Sequence, residues 1–244
     1  MKLPLPETNL HLKINSTSVS KYIIFENDDV IALNKPEGFL TIPDGYFQDA
    51  PNLRDILRTK FGRIWVVHRL DKDTSGVIVF AKNAIMHKKL NDAFSHRQTK
   101  KKYIAFIHGV PFWTERIISY PLLINGDRRH RTIINLVNGK PAETIINITE
   151  KKMIYSEAII WPKTGYTHQI RSHLSQIGHP VIGDALYDMH RTKAIDGAIQ
   201  CPQTEKGLFL HASELKFIDK SINLPLFEAK VPKKFSAFHS EQNM

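Results

Sequence analysis

Residues 68–76 read HRLDKDTSG, a polar loop between two apolar runs, 64–67 and 76–81. Such a loop projects side chains from the rim of a rigid sheet, where reactive groups tend to sit. It holds two carboxylates, Asp71 and Asp73, with a cation, Arg69, two residues before the first. A carboxylate placed there can serve as nucleophile or base. It can equally belong to a solvated turn with a local ion pair.

A second polar cluster lies in 164–187, TGYTHQIRSHLSQIGHPVIGDALY. Ile170, Leu174 and Ile177 form an apolar stripe at helical spacing, Thr167 can cap the helix and Gly178 can stop it. Arg171 stands at the edge of that stripe, where a guanidinium can reach into a cleft and hold a carboxylate or phosphate. His168, His173 and His179 match no zinc spacing, so no metal site is expected. A third cluster is basic and aromatic: Arg97, Lys100, Lys101 and Lys102 lead into Tyr103. Cations beside a ring suit RNA, taking phosphates while the ring stacks a base. Arg128, Arg129, His130 and Arg131 form another basic group in a hairpin region.

The elements that must position these groups are short. Strands are expected near 22–25, 30–33, 64–67, 76–81, 103–108, 117–123, 131–136, 142–148, 153–161, 207–211 and 223–230. Helices are expected at about 52–61, 84–95 and 167–177, and 188–206 reads as a polar surface excursion. Many strands and few helices, without βα alternation, predict an α+β fold with a largely antiparallel mixed sheet. Residues 1–20 read as an irregular leader, and 21–244 as a single domain of two sub-halves around a cleft.

The chain has 244 residues, with 34 Lys+Arg against 24 Asp+Glu, a net charge of +10. That excess favours a polyanionic partner, nucleic acid first. The single cysteine, Cys201, excludes an intrachain disulfide and the Cys-rich zinc modules. Prolines interrupt the N-terminus before an apolar core develops, so no signal peptide is expected, and the apolar runs are too short to span a bilayer. A cytoplasmic location is the expectation.

Together the segments resemble the RluA family of RNA pseudouridine synthases. HRLDKDTSG resembles that family's HRLDxxTSG signature, and NKPEGFLTIP (34–43) its NKPxG turn. KKYIAFIHG (101–109) is similar to its KxYxAxxxG segment. GKPAET (139–144), THQIRSHLSQIGHPVIGDALY (167–187) and LHASELKF (210–217) resemble further segments, the last being its closing strand. The matches run in order from about 22 to 230.

The resemblance implies a pseudouridine-synthase-like fold with a central catalytic cleft. It implies isomerisation of uridine in RNA to pseudouridine, without metal or cofactor. Asp71 would be the catalytic aspartate, Tyr103 would contact the target base, and Arg171 would pair with Asp71. Arg69 would displace the base and hold the opened RNA. His68, Lys101, Lys102, Ile170, Arg97 and Arg129 are expected to contact the RNA, and Asp73 to accept loop hydrogen bonds. The implied partner is structured RNA, ribosomal or transfer, bound by a monomer with no obligate protein partner. Two departures stand out: Tyr166 occupies the usual arginine position, and Asp188 a usual glycine. The roughly 20 residues before the first matched strand leave no room for an S4 RNA-binding domain, so the RNA is expected to bind the catalytic domain's own basic surface.

Two other readings compete. Asp71-x-Asp73, with Gly183, Asp184 and Asp188, imitates the DxD and GDxxxD motifs of magnesium-dependent phosphatases. The intervening 68–70 and the missing βα alternation oppose that reading. A non-catalytic RNA-binding protein of the same fold would share the basic charge. It would have less use for a carboxylate in a cationic site.

Overall fold

The computed structural model describes residues 14–45, 50–188 and 207–241. Cys201 and most of the 188–206 excursion lie outside them, as do the first 13 residues of the leader. Ile14 and Val19 are buried, so the described end of the leader packs into the core through a 3-10 turn at Ser18–Tyr22.

The first strands are β1 (Ile23–Glu26), β2 (Val30–Lys35), β3 (Trp65–Val66) and β4 (Ser75–Ala81). Then come β5 (Thr99–His108), β6 (Glu115–Ile118), β9 (Thr144–Lys151), β10 (Tyr155–Pro162), β11 (Leu210–Phe217) and β12 (Phe227–Glu228). They form one sheet in the order β1-β2-β4-β11-β5-β10-β9-β6, with β3 also on β4 and β12 on β11. The intervening β7 (Leu122–Leu123) and β8 (Ile133–Ile134) pair as a separate ribbon. Within the main sheet the pairings are antiparallel except one, β4 against β11. That parallel seam joins an N-terminal and a C-terminal half. Among the described residues the sheet is not the doubly wound parallel one of the phosphatase reading.

Among the described residues four helices cover the sheet: α1 (Leu53–Phe61), α2 (Ala84–Ser95), α3 (Gln169–Gln176) and α4 (Lys233–Glu241). All seven residues of β4 are buried, and its alternation feeds two cores. Val77, Val79 and Ala81 pack with Met86 and Leu90 of α2. Ile78 and Phe80 pack with Leu53 and Leu57 of α1 on the opposite face. The C-terminal half has its own core, in which Phe106, Tyr155 and Phe209 meet Phe235 and Phe238 of α4.

The structure corrects several boundaries. The single strand expected at 117–123 breaks after Ile118, because Pro121 cannot donate to a ladder. The expected 207–211 strand is β11, running on to Phe217, whereas 223–230 shrinks to Phe227–Glu228 beside Pro225. Helix α4 was not expected; Phe235 and Phe238, three apart after Pro232, are its signal. Thr167 does not cap α3. His168 takes that place in the left-handed region, with φ 56°, and makes no capping bond. At the other end Gly178, with φ 82°, stops α3 in a Schellman turn: its N–H donates to Ser175 O, and His179 N–H to Leu174 O. No helix among the described residues is long and apolar enough to cross a membrane.

Candidate active site

The loop carrying Asp71 runs from β3 to β4 and is held from below by residues 35–41. Thr41 Oγ1 donates to Leu70 O at 3.0 Å, on the carbonyl before Asp71. Lys35 Nζ donates to Lys72 O at 2.8 Å, on the carbonyl after it, and to Pro36 O at 2.9 Å. The Thr74 N–H closes the turn on Asp71 O at 3.2 Å. The NKPEGFLTIP segment is therefore the support of the loop. Lys35 is fully buried, and burial lowers its pKa to about 7 against the opposing pull of Asp73, Asp71 and Glu37. Asp73, expected to accept loop hydrogen bonds, directs its charge at Lys35 and Lys234 instead.

His68 fixes the start of the loop. Its Nε2 accepts the Val79 N–H of β4 at 2.9 Å, and its ring stacks on Phe94 of α2 at 4.7 Å. Burial, then the charge of Lys101, lowers its pKa to about 3, so the ring is neutral.

On the other wall, α3 presents Arg171. Its Nε and Nη2 form a two-pronged pair with Asp184, at 2.7 and 2.8 Å. Asp184 is buried and also accepts the N–H groups of Leu186 and Tyr187, both at 3.0 Å. The third nitrogen, Nη1, faces Asp71 Oδ2 at 3.4 Å. The expected pairing with Asp71 is thus the looser of two, and Asp184 is the anchor. Burial alone would lower the Arg171 pKa, but the bond to Asp184 and the two carboxylate charges raise it. The Arg171 guanidinium lies 5.1 Å over the Tyr187 ring. His168 also faces Asp71, with Nε2 at 3.7 Å from Oδ2.

Between the walls lies a cleft of about 430 Å³, a size that admits a nucleoside. Asp71, Arg171, Tyr103, Lys101, His68, Arg69, Arg97 and Ile170 all line it. Tyr103 stands on β5, opposite Ala212, which pairs across the seam with Gly76. Burial and the Asp71 charge raise its phenol pKa, so the hydroxyl keeps its proton. Lys101 Nζ donates to Thr164 O at 3.0 Å, and burial lowers its pKa to about 8.

Two expected contacts lie elsewhere. Strand alternation turns Lys102 away from the cleft, where it pairs with Glu214 at 2.6 Å. Arg129 sits exposed in the turn between β7 and β8, where Asp127 accepts its N–H at 3.0 Å, outside the cleft lining. Tyr166, at the usual arginine position, does line the cleft. Lys35 and Thr41 were not singled out as site residues from sequence, and Asp184 was singled out only in the competing magnesium motif. Their place inside quoted motifs was the available signal. Among the described residues no group of three or more His, Cys, Asp or Glu is gathered as a metal would require.

Comparison with known proteins follows the same outline. Residues 29–176 match the RNA pseudouridylate synthase family. The chain is 32% identical over 200 residues to a dual-specificity RNA pseudouridine synthase RluA of Vibrio parahaemolyticus, covering 80% of this chain and 76% of that one. It is 34% identical over 220 residues to the ribosomal large subunit pseudouridine synthase C of Buchnera aphidicola, covering 86% and 68%. Among solved structures, human RNA pseudouridylate synthase domain containing 4 superposes with a TM-score of 0.73 at 22% identity, over 93% of this chain and 95% of that one. That last likeness concerns the fold alone. The family match spans more than half of the residues and includes the loop of Asp71, Tyr103 and Arg171: the chain belongs to the RNA pseudouridylate synthase family.

Proposed function

We propose that the chain converts uridine in structured RNA, ribosomal or transfer, to pseudouridine, with Asp71 as the catalytic carboxylate and no metal or cofactor. The observation that carries this reading is the Asp71 carboxylate facing the Arg171 guanidinium at 3.4 Å in a cleft whose other charged lining residues, Arg69, Arg97, Lys101 and Lys163, are cations. A carboxylate opposes phosphate binding, so its presence among cations calls for a chemical task.

The isomerisation breaks the N1–C1′ bond, joins C5 to C1′, and moves one proton from C5 to N1. A stacked uridine hides its glycosidic linkage, so the nucleotide must be flipped into the cleft. Arg69, exposed at the rim, can fill the gap left in the stack. Tyr103 meets the base as a neutral ring and hydroxyl donor, since its proton is firmly held. Arg171 Nη1 faces the Asp71 carboxylate and orients it as a nucleophile or base. Arg97 and Lys101 supply charge for the flanking phosphates. In this reading the chain works as a monomer, in the cytoplasm, without an obligate protein partner.

The test is Asp71→Asn. Pseudouridine in total RNA is mapped site by site in cells carrying either form, and RNA affinity is measured in parallel. The expected result is loss of the modification, by at least about a thousandfold in rate, with affinity within about threefold. Unchanged modification would remove Asp71 from the chemistry. No modification by either form, with RNA still bound, would leave a binding protein without turnover.

A further inference from the structure

His168 lines the cleft, and the proposed chemistry leaves it without a task. It is also held at a cost. Its φ of 56° lies in the left-handed region, worth roughly 1–2 kcal/mol for a residue with a side chain. Its carbonyl accepts the Ser172 N–H at 2.9 Å, and its ring stands edge-on to Tyr187 at 5.5 Å. Backbone and ring are therefore both fixed, and the imidazole is aimed rather than free.

The hydrogen-bond network also assigns the proton to one ring nitrogen. The Tyr187 hydroxyl accepts the Thr132 N–H at 2.7 Å and donates its own hydrogen to Thr132 O at 3.1 Å. With the hydroxyl hydrogen on Thr132 O, its remaining lone pair faces His168 Nδ1 at 3.1 Å, which assigns Nδ1 as the donor. Nε2 is then bare and points into the cleft. Burial keeps the ring from taking a second proton, together with the charges of Arg171 and Arg69, against the pull of Asp71 and Asp184.

Nε2 thus stands as an acceptor 3.7 Å from Asp71 Oδ2, itself an acceptor. That separation is too long for a hydrogen bond between them and fits a donor entering from the cleft. Arg171 is engaged elsewhere, with Nε and Nη2 on Asp184 and Nη1 facing Asp71. On a uridine, the donor nearest the glycosidic carbon is the ribose 2′-hydroxyl. The N3–H lies on the far edge of the base. The 2′-hydroxyl also distinguishes RNA from DNA at a single nucleotide.

We propose that His168 is a specificity-determining residue that accepts a hydrogen bond from the 2′-hydroxyl of the target nucleotide, so that the cleft selects ribose over deoxyribose. The proposal rests on the reading that Asp71 works at the glycosidic linkage of that nucleotide.

The test uses a synthetic stem-loop spanning a uridine mapped as above, made in two versions: uridine, or 2′-deoxyuridine at that position alone. The wild-type protein should bind the uridine version about fivefold or more tighter. His168→Asn keeps the left-handed backbone, which asparagine tolerates, and removes the imidazole. It should lower kcat/KM on the uridine version about tenfold and leave the Kd of the deoxyuridine version within about twofold. Equal affinity of the wild type for the two versions would overturn the proposal without any variant. So would a His168→Asn protein that weakens both versions alike, or neither. Failure of the parent reading looks different: the wild type would form no pseudouridine in either version.

Discussion

Arg171 can spare one nitrogen for Asp71 because Asp184 holds the other two. The buried carboxylate is in turn held by the Leu186 and Tyr187 N–H groups. Asp184→Asn keeps the shape and removes the charge, leaving a buried guanidinium without its full partner. Breaking a buried pair from one side costs about 3–5 kcal/mol, so the midpoint of thermal unfolding should fall. Asp184 is a positioning residue, and a second readout separates that role from plain stability. In the fraction that remains folded, kcat should fall about tenfold or more while KM for RNA changes little. An unchanged kcat would mean that Arg171 needs no such anchor. The residues legible in sequence were those whose chemistry is distinctive at the surface of the cleft: Asp71, Tyr103 and Arg171. The anchoring role of Asp184 and the supporting role of Lys35 escaped because a buried acid and a buried lysine look like solvated charges until the fold removes the water around them.

Among the elements, the seam between β4 and β11 brings the two halves of the site together. Gly76 pairs with Ala212 there, and Ala212 pairs with Tyr103 on the next strand. Gly76 has φ 115°, and a Cβ added to it would lie 2.1 Å from Ala212 O and 2.6 Å from Ala212 N. Both obstacles are backbone, so the strands themselves must part. Gly76→Ala should cost about 3 kcal/mol or more, from overpacking and a disfavoured backbone together. Asp71 lies five residues upstream, so activity should be lost with stability. Urea unfolding checks this, and a loss under about 0.5 kcal/mol would show that the seam is not tight. The sequence carried the final glycine of HRLDKDTSG but could not say why it is there, since Ala212 lies 136 residues further along the chain. The same limit explains the boundaries. Helices α1 and α2 were readable from local spacing, and each begins at an asparagine whose side chain accepts a helical N–H, Asn52 and Asn83. The extents of β9 and β11 depend on what they pair with, which a single strand does not disclose.

The whole molecule carries +10 before any histidine is charged, and its fold keeps several histidines neutral. Burial lowers the pKa of His68 to about 3, and also lowers those of His168, His173 and His211. In the unfolded chain each returns to the ordinary value of about 6.5. Below that pH the unfolded state binds more protons than the native state, so stability falls as pH falls. Above about pH 6.5 neither state is protonated at these sites, and their contribution is fully present. Each such histidine adds about 1.4 kcal/mol per pH unit to the loss until its own folded pKa is reached. Protonating His68 would also break the bond its Nε2 accepts from Val79 and put a cation beside Lys101, so the Asp71 loop and the fold should weaken together. Urea unfolding stability between pH 6 and 5 should therefore fall by about 1 kcal/mol through His68 alone, with further loss in the same direction from the other three. His68→Gln, whose side-chain oxygen can still accept the Val79 N–H, should flatten that slope by about one proton. A slope unaltered by His68→Gln would show that this ring does not resist protonation. A midpoint independent of pH in that window would say the same of all four.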